Sequence, residues 1–205
     1  MTSMQPSPPM TPQQYGVGAR LTLSVYDSDY VRIILDALEA ADTRGVSVKT
    51  DDVSTFLGGA ESDILRCLRD MIAAAAASGA HLSASILLSR GCPGELQCAL
   101  PPGVAALGAD PVQLDPTGVD AGAHWSLYPL LDGDTGGDHM EAIYAAIEQA
   151  KTTGVFTASD HFATRLDGDL AQVLETVANA WIGVGRTVQH VTTHVTLSIN
   201  SPTRR

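Results

Sequence analysis

Aromatic residues are scarce in this sequence, making up 5% of its 205 residues. A core built from it must rest on Leu, Val, Ile and Ala, and the hydrophobic content of 44% is ample for one. Positive charge is equally thin: 12 Lys and Arg stand against 23 Asp and Glu, a formal net charge of −11. That deficit argues against a nucleic-acid partner, which needs clustered cations. There are three cysteines, Cys67, Cys92 and Cys98. The odd count has no framework spacing, so the expectation is a reducing, cytoplasmic compartment. No apolar run approaches the ~20 residues that span a bilayer, so no membrane insertion is expected. The stretch "MTSMQPSPPMTPQQ" has neither the basic nor the apolar region of a signal peptide.

Catalytic signatures are missing as well. There is no Walker loop and no GxSxG elbow, and "GVGR" at 183–186 follows a helical pattern rather than a strand. His190 and His194 lie four apart on a strand, the wrong spacing for a metal pair, and no cysteine pair supports zinc. The "DGDTGGD" loop lacks a calcium register, and Cys92 in "GCPG" has no motif beside it to supply a base. No cofactor, metal site or catalytic residue is expected, and the chain reads as a non-enzyme.

What the sequence does contain is itself, twice. "GVSVKTDDVSTFLGG" (45–59) and "GVFTASDHFATRLDG" (154–168) match at one offset, 109 residues. The offset persists without a gap: Leu38 meets Ile147, Leu65 meets Leu174, His81 meets His190 and Ser89 meets Ser198. Before the first helix it changes. Aligning "SVYD" with "SLYP" gives 102 and aligning "GAR" with "GAH" gives 104, a difference of one strand period.

Each copy reads as an alternating strand, a helix, two short strands, a helix and a final alternating strand. In the first helix Val31, Ile34, Leu35 and Leu38 form an apolar stripe, and Ser62 is placed to cap the second helix. The order β-α-β-β-α-β is the ferredoxin-like unit. The expected fold is α+β: tandem ferredoxin-like repeats with antiparallel sheets packed face to face, within the chain or across a dimer. The expected organisation is a disordered tail (1–16), repeat one (17–90), a Gly/Pro-rich linker (91–121) and repeat two (122–202).

Strand alternation predicts which side chains face the helices. Val53, Thr55 and Leu57 should do so in copy one, and Phe162, Thr164 and Leu166 in copy two. Val46, Val48 and Thr50, with Val155, Thr157 and Ser159, should do so on the preceding strands. Thr55 and Thr164 thus sit amid apolar residues. Either each hydroxyl bonds a nearby carbonyl, or the hydroxyls line a pocket that orients a polar heterocycle. Asp51 and Asp160 close the same strand in each copy, as turn-starting residues or as carboxylates for an amino group or a cation.

"SVYD", "SLYP", "KTDDVST", "GCPGE", "ASDHFATRLDGD" and "LSINSPTRR" together make the chain resemble the YkoF family of thiamine/hydroxymethylpyrimidine-binding proteins. The resemblance covers nearly the whole chain beyond the first 16 residues. It implies a homodimer paired through its sheets and one pocket per repeat for thiamine or its hydroxymethylpyrimidine part. It also implies a non-enzymatic role in thiamine uptake or salvage. Carried over, it points to Val25 and Thr55 in copy one and to Leu127 and Thr164 in copy two. The expected ligand-binding set is Val25, Thr50, Asp51, Thr55, Leu127, Ser159, Asp160 and Thr164. Copy one has "TDD", with Asp52 where copy two has His161. The alternative is a sensor module of the same fold that binds another metabolite and signals to a partner protein.

Overall fold

The alternating and helical stretches become two βαββαβ units in a computed structural model that describes residues 10–92, 104–130 and 139–203. Repeat one comprises β1 (Gly18–Val25), α2 (Tyr30–Ala40), β2 (Val46–Thr50), β3 (Thr55–Gly59), α3 (Glu61–Ala76) and β4 (Leu82–Arg90). A short α1 (Pro12–Tyr15) precedes it. Repeat two comprises β5 (Asp120–Leu130), α4 (His139–Lys151), β6 (Phe156–Asp160), β7 (Ala163–Asp169), α5 (Leu170–Val184) and β8 (His190–Ile199).

All eight strands form one antiparallel sheet in the order β2-β3-β1-β4-β8-β5-β7-β6. The tandem α+β architecture is as the sequence indicates. Stacking of the two sheets within one chain is not: β4 pairs with β8 from Leu82↔Ile199 to Arg90↔Val191. Two long strands with matching registers satisfy each other's backbone groups and remove two exposed edges. Any face-to-face partner for this sheet must come from another chain.

The long strands alternate as their sequences require. Leu82, Ala84, Ile86 and Leu88 of β4 are buried under the helices, with Val191, Thr193, Val195 and Leu197 of β8. The opposite face is polar: Ser85 Oγ lies 3.0 Å from His194 Nε2, and Ser89 Oγ 3.4 Å from Thr192 Oγ1.

Four local expectations are corrected. Val53 and Phe162 do not face the helices. β3 and β7 begin two and one residues later, which leaves them in turns at 70% and 96% exposure. A bulge between Phe156 and Ala158 puts the Thr157 hydroxyl on Asp167 of β7, 2.9 Å away, instead of under the helices. In α2 the buried positions are Ile33 and Ala37, while Val31 and Leu35 stand more than half exposed. α4 repeats this, with Ala146 and Ala150 buried and Tyr144 exposed. The helices therefore hold part of their apolar stripe off the sheet. Ser62 lies inside the first turn of α3, whose cap position is Ala60.

Ordered chain begins earlier than expected. Tyr15 is fully buried and donates its hydroxyl to the Gln189 carbonyl at 2.8 Å; of the expected tail, residues 1–9 lie outside the described residues. Within the expected linker, residues 93–103 also lie outside them, but 104–119 run as a strap along α5. Asn179 Oδ1 accepts from the Val112 N–H and its amide donates back to the Val112 carbonyl. Val112 itself is buried.

Asp169 ties the strap to the helix. It accepts from Ala171 N at the start of α5 and from the N–H groups of Thr117 and Gly118. Burial alone raises its pKa, but the three N–H groups together outweigh burial and hold the carboxyl below its ordinary range. A depressed folded value means stabilisation that is complete above the unfolded pKa and is lost as pH falls through the folded one. Asp169→Ala is expected to lose about 1–2 kcal/mol in urea titrations at neutral pH. The gap from the parent protein should narrow below about pH 4.

Candidate functional site

Each repeat opens a cavity where its first strand outruns its partner. The β1–β3 ladder ends at Leu21↔Thr55 and the β5–β7 ladder at Trp125↔Thr164. Beyond those pairs the first strand is paired on one side only, β1 with β4 and β5 with β8, and its free side is roofed by the half-lifted stripe of α2 or α4. The cavities are pseudo-equivalent. Thr50, Asp51 and Thr55 line one, and Ser159, Asp160 and Thr164 line the other. Ile34 and Leu38 roof the first, Ile143 and Ile147 the second.

The strand pairing also fixes the register of the repeat. Leu21 pairs with Ile86 as Trp125 pairs with Val195, so the first strands match at 104, the "GAR"/"GAH" offset. Leu23, rather than Val25, is thus the counterpart of Leu127, and Leu23 lines the cavity. Val25 lies one strand period further on, opposite Leu82.

The two cavities differ in size and in the state of their hydroxyls. Small-molecule pockets usually measure about 300–1,000 Å³. The repeat-two cavity, ≈ 550 Å³, falls within that range; the repeat-one cavity, ≈ 140 Å³, falls below it. Met71 reaches into the smaller one, whereas the equivalent residue in repeat two is Ala180. In repeat one Thr50 and Thr55 face each other across the strands, hydroxyl to hydroxyl at 3.0 Å. In repeat two Thr164 is 4% exposed, and neither its hydroxyl nor that of Ser159 has a hydrogen-bond partner among the described residues. Unpaired hydroxyls that line an apolar cavity are left for water or a ligand to satisfy.

The aspartates differ in the same direction. Asp51 is occupied: Oδ1 accepts from Val53 N and Ser54 N at 2.9 and 2.8 Å, and Oδ2 meets Arg20 Nη1 at 3.2 Å. Asp160 Oδ1 accepts from His161 N at 2.7 Å, while Oδ2 has only His124 Nε2 at 3.9 Å. The backbone N–H groups of Ser54 and Val53, and that of His161, lower the respective carboxyl pKa values, so both groups are anionic at neutral pH. Arg20 and His124 are themselves equivalent at the 104 offset. In each repeat a first-strand hydroxyl also pins the turn: Thr22 Oγ1 to the Val53 carbonyl at 3.2 Å and Ser126 Oγ to the Phe162 carbonyl at 2.8 Å.

Sequence reasoning pointed to the Thr, Ser and Asp residues that line these cavities because the duplication placed them in matching positions. It missed Trp125, Ile143, Tyr144, Ile147 and Phe162, which line the larger cavity. The "GAR"/"GAH" offset could have found Trp125 through Leu21.

The profile of the YKOF-related family matches residues 16–95 and 120–204, one segment per repeat, with the strap left out between them. The chain belongs to this family. A similar curated protein is "Putative HMP/thiamine-binding protein YkoF" of Bacillus subtilis (strain 168). It is 32% identical over 190 residues, covering 92% of each chain. Both YKOF-related segments contain a complete cavity, so the family match and the pseudo-symmetric geometry agree. Among the described residues no helix is long and apolar enough to cross a membrane.

Proposed function

We propose that this chain binds thiamine or its hydroxymethylpyrimidine part without transforming it, with one pocket per repeat, and serves thiamine uptake or salvage. The observation that carries the reading is the unpaired hydroxyl of Thr164, which with Ser159 and Asp160 lines an otherwise apolar cavity of ≈ 550 Å³. An aminopyrimidine presents ring nitrogens that accept hydrogen bonds and an amino group that donates them. Thr164 and Ser159 supply the donors, and Asp160 Oδ2 supplies an anionic acceptor. The name of the Bacillus relative and its identity to this chain support the same ligand class.

The repeats are unequal binders in this reading. A ligand entering repeat one must separate Thr50 from Thr55 and displace Met71, whereas repeat two has free hydroxyls and room. Calorimetric titration with thiamine, and separately with hydroxymethylpyrimidine, is expected to show one tight site per chain and a second at least tenfold weaker. Folded protein that gives no saturable heat with either compound would sink the reading.

The polar sheet face is assigned to a homodimer. It is continuous over eight strands and carries Leu87 and Tyr128, 42% and 49% exposed, among small hydroxyl residues. The protein is assigned to the cytoplasm on its odd cysteine count, which offers no disulfide framework. Burial pushes the Cys67 thiol up to about 11, which leaves it unreactive.

A further inference from the structure

The mouth of the repeat-two cavity holds an arrangement that the pyrimidine-binding depth does not need. The chain has two Trp, five Tyr and three Phe; one Trp, two Tyr and one Phe line this single cavity. Trp125 is buried, its indole N–H donating to Thr193 Oγ1 at 2.8 Å. Two more rings stand at the opening, Tyr144 at 61% and Phe162 at 96% exposure, while the Tyr128 ring belongs to the polar sheet face.

Phe162 is the telling one. Its φ is +64°, a backbone region where a bulky side chain is a genuine outlier and glycine or asparagine the usual choice. The Ser126 hydroxyl pins its carbonyl at 2.8 Å, so the turn holds the ring outward at the rim. Asp160, anionic at neutral pH, lies two residues away in the same turn and lines the same cavity. The equivalent mouth in repeat one keeps the carboxylate, Asp51, and the pinned carbonyl, that of Val53, but has no aromatic ring: Val53 stands for Phe162 and Leu35 for Tyr144. An aromatic rim beside a carboxylate is chemistry suited to a flat organic cation, and the repeat-one rim is not.

Resting on the function proposed above, we infer that the repeat-two cavity selects two-part ligands: a neutral polar heterocycle in the depth and a planar cationic ring at the mouth. Phe162 is a specificity-determining residue for that second ring. Thiamine, with its thiazolium, meets this description; hydroxymethylpyrimidine lacks the second ring. The cavity therefore discriminates between them, and Phe162 acts only on the part that differs.

The test is a pair of calorimetric titrations, thiamine and hydroxymethylpyrimidine, on the full chain and on Phe162→Ala. Val53→Ala serves as the symmetric control. Phe162 is almost entirely exposed, so its truncation leaves the core untouched. The parent protein is expected to bind thiamine at least tenfold more tightly than hydroxymethylpyrimidine. At the tight site Phe162→Ala should weaken thiamine about 3- to 30-fold and leave hydroxymethylpyrimidine within twofold, while Val53→Ala, at the mouth of the weak site, leaves both tight-site affinities as they are. Equal affinities in the parent protein, or equal weakening of both ligands in the variant, would overturn the inference and leave the proposed function standing. A Phe162→Ala chain with unchanged selectivity but a lower association state would overturn it too, and would assign the ring to a contact between copies. Failure of the parent protein to bind either compound would remove the inference and the function together.

Discussion

Thr164→Val is expected to weaken the tight site about tenfold to a hundredfold, while making the unliganded protein slightly more stable. The two effects share one cause. Thr164 is a buried residue whose hydroxyl lines the cavity with no protein partner among the described residues, so replacing it with a methyl group removes a polar atom that the unliganded fold does not pair. In the complex the same hydroxyl satisfies a ring nitrogen, and its loss leaves that nitrogen unpaired, a penalty of about 1–3 kcal/mol. Thr55→Val should behave in the opposite way. It strands the Thr50 hydroxyl, now 3.0 Å from its partner, and so lowers stability with little change at the tight site. Calorimetry and thermal melts of both variants check this. Tight binding that survives Thr164→Val, or a melt that falls with it, would mean that the hydroxyl has a structural partner and is not held for a ligand.

The second large effect is expected away from the cavity. Arg90 is fully buried at the end of β4, its guanidinium 3.3 Å from Glu61 and within 6 Å of the ring centres of Tyr15 and Trp181. It also donates to the Leu107 carbonyl of the strap. Gly185 allows this approach, since a Cβ there would come within 2.6 Å of Arg90 Cδ. Glu61→Ala leaves the cation buried without its carboxylate and should cost about 3–5 kcal/mol in urea unfolding. Repeat two holds the control, for the equivalent residues there are Leu170 and Ile199, both buried and apolar. The double change Glu61→Leu with Arg90→Ile should recover most of the loss, short by about 1 kcal/mol for the bond to Leu107. A double variant as unstable as Glu61→Ala would show that the pair fixes the packing of α1, α5 and the strap together.

Why these sites differ in legibility follows from what each depends on. The faces of β4 and β8 could be read directly because a half-buried strand declares itself every second residue. The Thr, Ser and Asp set was visible because duplication wrote it twice among apolar neighbours. The stripe of Val31, Ile34, Leu35 and Leu38 was misleading. An amphipathic pattern says that a face is apolar but not that it touches the sheet, and here part of it roofs a cavity. The bulge at Phe156–Ala158 breaks strand period two, so Thr157 could not be assigned to a face by counting. Joining by β4 and β8 instead of stacking was hidden because the helix-facing side chains are the same in both arrangements, and side-chain alternation does not say which backbone groups pair.

That seam carries a consequence for the chain's history and handling. The nine residue pairs between β4 and β8 make the middle of the sheet out of the two halves' outermost strands. Severed in the strap, each half would present a long, regular, hydrogen-bond-hungry border, and the halves would pair with whatever strand they met first. A single copy on its own would need another strand, such as the β4 of a second copy, to cover that border. Both halves should melt in one transition, and amides along the seam should be among the last in the molecule to exchange their protons for deuterium.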